Sequence, residues 1–438
     1  MVDIQTSASG ASHDPSGLRM ATPEVAGDSA FGEWRRGWLI VLVSMIGLGI
    51  GTSHVYTMGI FMTPLEHAFG WSRAQISSGL MANSVISVIG APFIGWLIDR
   101  FGTRSVGLPG VALYCTAIAL LSQTGASIWS WWGLWVLVAF GAVLIKPTVW
   151  ALSVSQRFDA QRALALAIVM SGSGLCAVFL PAVTTSLIAT LGWRSAFVGL
   201  GVGGALIALP LLYLFLRDGL DSPEAAPRSN TAAEKAGLSI REGILSRRFL
   251  FIAICTVFMT GTIAGMSVHF VPFITSMGIS KMTAASVAGI GGVLSVVGRL
   301  GTGILLDRRW SGPLVGACSF TIPAIAGVVW LLHGDDVFSA AVISGLLGLS
   351  LGAEMDVLAY LCSRYFGLKH YGVIYGTVAG LLALGVGVGP TLAGFVYDKT
   401  HSYDAFVWGA IPACLTAALL VGSLGRYPSF ATRPKSRQ

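Results

Sequence analysis

The sequence predicts an all-α integral membrane protein of twelve transmembrane helices arranged as two pseudo-symmetric six-helix halves, and three observations predict it. The first is composition: of 438 residues, 54% are hydrophobic and only 11% are charged, whereas a soluble globular chain carries about 25% charged residues. The second is run length. The apolar stretches are long and unbroken, unlike the short alternating segments of a transmembrane β-barrel, and a helical span needs roughly 20 apolar residues. The third is an internal repeat, in which short motifs return at a constant offset of 208 residues.

Taken in order, the first 33 residues are rich in Ser, Ala, Gly and Pro without an apolar core, and read as a disordered cytoplasmic tail rather than a cleavable signal. Residues 34–216 then form a first six-helix half, with spans near 38–62, 75–98, 105–125, 129–156, 162–190 and 195–216. "RDGLDSPEAAPRSNTAAEKAG" opens a polar, Pro-containing segment over 217–247 that reads as a cytoplasmic linker. The second half, 248–424, has spans near 248–275, 283–306, 313–332, 337–363, 370–397 and 404–424, and 425–438 is a cytoplasmic tail. With the amino terminus inside, twenty-one Lys and Arg fall in inner segments and four in outer loops (Arg73, Arg194, Lys281 and Lys399), so both termini are expected in the cytoplasm. The net charge of +7 belongs to this topology and to anionic lipid headgroups, and gives no support to nucleic-acid binding. The tryptophans of "SIWSWWGLW" (Trp129, Trp131, Trp132, Trp135) are expected to form an interfacial belt at the outer face. The six cysteines fall singly on six spans, with no metal-ligand or redox spacing, and read as small buried hydrophobes. No cofactor or metal is implied.

The repeat carries the functional argument. "GWLIDR" at 95–100 returns as "GILLDR" at 303–308, "FGWSRAQ" at 69–75 as "MGISKMT" at 277–283, and "QRF" ending at Phe158 as "RYF" ending at Phe366. Parallel six-helix repeats around a midplane site are the architecture of a transporter that works by rocking. Between the second and third spans, Gly95, Asp99, Arg100, Gly102 and Arg104 follow the pattern G-x-x-x-D-R-x-G-x-R, and Gly303, Asp307 and Arg308 repeat its start. An aspartate at a helix end beside arginines can form a charge latch at the cytoplasmic face; the alternative is a cluster that only sets topology. This loop resembles the characteristic loop of the major facilitator superfamily. Within it, "RFDAQRALALAIVMSGSG" (157–174), "FGWSRAQIS" (69–77), the arginine of "SVVGRLGTG" and "GAEMDVLAYLCSRYFGLKHYGVIYG" (352–376) are similar to the monocarboxylate porters, the last most to their bacterial branch.

A charge at the bilayer centre costs at least about 2.5–3.5 kcal/mol and therefore faces a cavity or a partner. Lys146 in span 4, Arg299 in span 8, and Glu354 and Asp356 in span 10 qualify. The resemblance implies that spans 1, 4, 7 and 10 line the central cavity, with 2, 5, 8 and 11 beside them, and that Arg299 anchors the substrate. A guanidinium grips a carboxylate through two parallel hydrogen bonds, which an ammonium cannot do; the alternative is a structural pair with an acidic neighbour. Lys146 stands one repeat before Glu354. It reads either as part of an anion site, with Pro147 freeing a carbonyl to line the cavity, or as half of an ion pair joining the halves. Glu354 and Asp356 lie about 200° apart around a helix, so one faces the cavity and the other can pair with Arg299; one of them is a candidate proton acceptor. His269, Tyr56 and Asn83 complete the expected substrate contacts, with His269 and His54 as alternative proton sites. Better-known animal members carry an aspartate one turn before the span-8 arginine and a lysine in span 1, where this chain has Ser295 and Tyr56. Their Asp–Arg coupling pair is therefore absent here.

The expectation is a proton-linked secondary transporter, a symporter of a small organic anion such as a monocarboxylate, acting as a monomer in a bacterial inner membrane. The alternatives are organic-anion exchange or proton-driven efflux of an amphipathic compound. A membrane receptor or enzyme would need a sensor domain, nucleotide loop, paired metal ligands or nucleophile triad, and none is seen in the sequence.

Overall fold

A computed structural model of the chain describes residues 25–158, 161–216, 237–307, 310–333, 336–367 and 369–428. Its elements are α1 (Val25–Phe69), α2 (Arg73–Leu120), α3 (Ile128–Leu144), α4 (Pro147–Ser155), α5 (Arg162–Phe215), α6 (Ile240–Ile244), α7 (Arg247–Ser276), α8 (Lys281–Asp307), α9 (Gly312–His333), α10 (Val337–Phe366), α11 (Tyr371–Thr400) and α12 (Asp404–Gly422). The membrane crossings are counted differently from these elements. α2 turns at Gly102 and α5 at Gly192, both with positive φ, so each supplies two spans. α3 and α4 together make one, and α6 is a short helix before α7. Among the described residues ten helices are long and apolar enough to cross a membrane, and dividing α2 and α5 at their turns gives an arrangement consistent with six passes before and six after the linker. Both ends of the described chain then lie on one face, called here the terminal face, with the far face opposite.

Local sequence explains the helix boundaries. Ser72 caps α2 by accepting from the Gln75 amide while the Gln75 side chain accepts from the Ser72 amide, a capping box. Ser246 caps α7 and Asp336 caps α10 by the side-chain half of that motif alone, each accepting from a backbone amide three residues on. The offset of 208 recurs in the backbone: α2 begins at Arg73 and α8 at Lys281, and the turns before them pass through Gly70 (φ 68°) and Gly278 (φ 87°). A side chain there would sit in the left-handed region that glycine enters freely. α1 begins at Val25, earlier than a disordered tail over 1–33 allows.

Of the two larger apolar cores, one lies in the first half and takes in Val268 of α7, and the other lies in the second half. Across the halves α2 packs on α11, α5 on α8 and α1 on α7. The approach is close: a Cβ on Gly292 of α8 would stand 2.6 Å from the Val178 nitrogen of α5. By contrast, the extensive contacts of α4 stay within the first half and those of α10 within the second. The tryptophan expectation needs correction. Only Trp129 is largely exposed (73%), whereas Trp131 and Trp135 are buried, because a spacing of four puts both on the inner face of α3. The indole of Trp131 donates to the Ile76 carbonyl at 3.1 Å. Of the cysteines, Cys115, Cys255, Cys362 and Cys414 are buried, Cys176 is half-buried and Cys318 is exposed.

Candidate functional site

Arg299 and Asp356 meet. The Arg299 Nη1 lies 3.4 Å from the Asp356 Oδ1, joining α8 to α10, and the side chains keep 14% and 34% of their exposure. A single long contact engages one of the five guanidinium N–H donors. Glu354, two residues before Asp356, is buried at 1% exposure and accepts a hydrogen bond from the Thr260 hydroxyl of α7.

Lys146 and Glu354 do not meet. The Lys146 ammonium donates to the Ser87 carbonyl of α2 at 3.3 Å, inside its own half. The reason lies in the broken span. Lys146 is extended (φ −62°, ψ 159°) between α3 and α4, with Pro147 at the first position of α4, where its missing N–H costs nothing. The break releases carbonyls, and that of Ile145 is taken by the Trp150 indole at 2.9 Å rather than turned to a cavity.

Between the halves, α1, α5, α7, α8 and α10 line a partly open cavity of about 70 Å³. Its wall is mostly hydrocarbon, including Val55, Val271, Leu347 and Leu351, with Tyr56, Ser267 and Ser344 as its polar side chains. Tyr56 lines this cavity and lies against Ser173 of α5, whereas Arg299 and Asp356 are not among the lining residues.

Two other expected contacts are engaged elsewhere. Asn83 lies 3.0 Å from the Nε2 of His54, whose Nδ1 is 3.0 Å from the Tyr114 hydroxyl, within the first half. His269 is buried, and its Nε2 lies 2.9 Å from the Pro390 carbonyl. A carbonyl only accepts, so that nitrogen carries the proton and Nδ1 accepts from the Tyr403 hydroxyl at 2.8 Å.

Tyr403 leads to a cluster the sequence reading missed. Its oxygen accepts from Arg73 Nη1, and the Arg73 Nε donates to Glu66 at 2.6 Å. The guanidinium lies 3.8 Å from the Tyr397 ring centroid. The backbone amides of Arg73 and Ala74 donate to the two oxygens of Asp398, each at 2.9 Å. The far-face start of α2 is thus held by a carboxylate of α11, in the other half. From sequence, Arg73 reads only as an outer-loop charge. The signal that could have found it is the "SRAQ" capping box, which puts Arg73 at the first turn of a helix, where unpaired amides attract a carboxylate.

At the terminal face, Arg104 donates to the Tyr213 carbonyl at 2.9 Å and Arg100 lies over the Trp96 ring at 5.5 Å. The side chains of Asp99 and Asp307, and all of Arg308, lie outside the described residues, so the expected charge latch there is not visible.

Comparison with known proteins gives one family. The Major Facilitator Superfamily matches residues 37–390. Monocarboxylate transporter 11 of Homo sapiens is 27% identical over 401 residues, covering 88% of this chain and 81% of its own. Monocarboxylate transporter 12 of Rattus norvegicus is 26% identical, covering 93% and 88%. An MFS-type transporter of Bacillus subtilis, YcxA, is 24% identical, covering 84% and 90%.

Proposed function

The chain belongs to the major facilitator superfamily, and we propose that it carries a small organic anion, a monocarboxylate, together with a proton, by alternating access across a bacterial inner membrane with both termini in the cytoplasm. The observation that carries this reading is Arg299. It is a membrane-embedded guanidinium tied to Asp356 by one contact of 3.4 Å, which leaves donors for a substrate carboxylate. In this scheme the carboxylate takes two parallel N–H donors of Arg299 and loosens its hold on Asp356. Lys146 adds positive potential from span 4, and the hydrogen bond it gives to a neutral carbonyl is exchangeable for an anion. The Glu354 carboxyl is the proton site: it is buried, and its hydrogen bond comes from a neutral threonine hydroxyl that tolerates either protonation state. Tyr56 offers the substrate a hydroxyl from the wall of the cavity between the halves.

Alternating access requires that the halves part at one face while they close at the other. The Arg73, Glu66, Asp398 and Tyr403 cluster serves as the far-face latch, and the Asp99 and Asp307 loops as the gate of the terminal face. The test is uptake of a labelled monocarboxylate into proteoliposomes with and without an imposed proton gradient. Gradient-stimulated uptake that collapses in Arg299→Lys is expected. Uptake by that variant within twofold of wild type would make the arginine structural and defeat the reading.

A further inference from the structure

Away from the transport site, the terminal face of the second half carries two arginines that the transport scheme does not use. We propose that this face holds the phosphate headgroup of an anionic phospholipid, gripped by Arg248 and Arg364 on either side of the tyrosine pair Tyr365 and Tyr427.

Four observations carry the proposal. The first is placement. Arg248 stands in the first turn of α7, Arg364 in the last turn of α10, and Tyr427 just after α12. All three lie where spanning helices end on the terminal face, the level at which lipid headgroups sit.

The second is a built arrangement of side chains. The rings of Tyr365 and Tyr427 pack with centroids 5.0 Å apart. The Arg248 guanidinium lies 5.3 Å from the Tyr365 centroid, and that of Arg364 lies 4.8 Å from the Tyr427 centroid. Both rings are fixed in turn. The Tyr365 hydroxyl donates to the Gly425 carbonyl at 2.5 Å, and the Tyr427 hydroxyl accepts from the Gly312 amide at 2.8 Å. A guanidinium held at a ring face spends none of its N–H donors there, and its planar fork matches two phosphate oxygens.

The third is uncompensated charge. Among the described residues, neither arginine pairs with a carboxylate. Arg248 gives one long hydrogen bond, 3.5 Å, to the Arg426 carbonyl. Glu242, the nearest carboxylate to Arg248 in sequence, is occupied by the Ser239 amide and hydroxyl at 3.0 and 2.7 Å. One repeat earlier, the positions of Arg248 and Arg364 hold Ile40 and Gln156. The arginine pair is therefore an addition of the second half and not a part of the shared fold.

The fourth is exposed hydrocarbon beside the cations. Leu250 follows Arg248 by two residues, and Trp310 and Leu314 flank Gly312; all three are at least half exposed. A tryptophan at this level suits the membrane interface, and the leucines suit acyl chains. A soluble phosphate would leave that apolar surface uncovered.

The test is native mass spectrometry of the detergent-purified full-length chain, titrated with phosphatidylglycerol or with phosphatidylcholine of the same acyl chains. Phosphatidylglycerol is expected to bind about tenfold tighter or more, because phosphatidylcholine brings its own cation to the arginines. Arg248→Gln with Arg364→Gln is expected to weaken phosphatidylglycerol by about tenfold or more. Arg35→Gln with Arg36→Gln removes two exposed cations from the same face of the first half, and is expected to change affinity less than twofold. Arg364→Gln alone alters an exposed side chain and serves if the double variant does not fold; its expected cost is at least threefold. Glycerol 1-phosphate, a headgroup without chains, is expected not to displace the lipid at tenfold excess. Equal weakening in the two double variants would reduce the effect to general surface charge and overturn the proposal. So would phosphatidylcholine binding as tightly as phosphatidylglycerol, or unchanged affinity in Arg364→Gln. Displacement by glycerol 1-phosphate would mark a site for soluble phosphates and overturn the lipid assignment.

Discussion

Arg299 and Lys146 are both cations inside spans, yet their neighbours assign them different parts. Arg299 is tied to a carboxylate of another helix, so removing either partner strands a charge. The losses from Arg299→Ala and Asp356→Ala, added together, are expected to exceed that of the double variant by a coupling of about 0.5–3 kcal/mol in a double-mutant cycle on melting. Lys146 and Glu354 share a repeat position but no contact, since the lysine is held by Ser87 and the glutamate by Thr260. Their cycle, Lys146→Met with Glu354→Gln, is expected to be additive within about 0.5 kcal/mol. A larger coupling would mean that the two charges meet in a state populated in solution. Sequence alone left the bridge open because a repeat register places Cα positions in equivalent halves and says nothing of where long side chains end.

At the scale of elements, the break at Lys146 and Pro147 is the chain's most informative local feature. Proline explains why α3 stops, and the carbonyl of Ile145 would be stranded in the bilayer if the Trp150 indole did not reach it. Trp150→Phe keeps most of the buried ring volume and removes the donor. The expected loss is about 1–3 kcal/mol, the cost of an unpaired buried acceptor, read as a lower melting temperature of the purified protein. An unchanged melting point would show that the carbonyl finds another partner. The break itself was legible in "LIKPT"; the partner was not, because an indole five residues away is one of several donors that could have turned inward. The same limit applies to "SIWSWWGLW". Residue type suggested an interface belt, while helical phase sends Trp131 and Trp135 into the core.

Across the whole molecule, the contacts between halves at the far face are specific and polar: two amide hydrogen bonds to Asp398, and Arg73 held among Glu66, Tyr397 and Tyr403. Asp398→Ala removes both amide contacts. Hydrogen bonds to a charged group contribute about 1.5–3 kcal/mol each, so the variant is expected to favour far-face opening by tenfold or more. The measurement is the rate at which a membrane-impermeant maleimide, added at the far face, labels Ser267→Cys in a background without the six native cysteines. Asp398→Ala should label at least several-fold faster than its parent. Equal rates would show that apolar packing of α2 on α11 and α1 on α7 holds the face closed without the latch.

Composition and period alone carry part of this molecule's architecture. Long apolar runs require helices in a bilayer, because no water is present to satisfy an open backbone. A constant offset of 208 requires two like halves, and buried charges require partners. The spans placed near 75–98 and 283–306 match α2 and α8, which begin two residues earlier at Arg73 and Lys281; the positive φ of Gly70 and Gly278 in the turns before them came from the structure. Tertiary structure decided which partner each charge meets. It gave Arg299 to Asp356, withheld Glu354 from Lys146, and drew His269 and Arg73 into a far-face cluster with Tyr403 and Asp398. Those pairings depend on side-chain reach across helices distant in sequence, where a shift of one residue turns a group by about 100° around its helix. Only the packed molecule sets that angle.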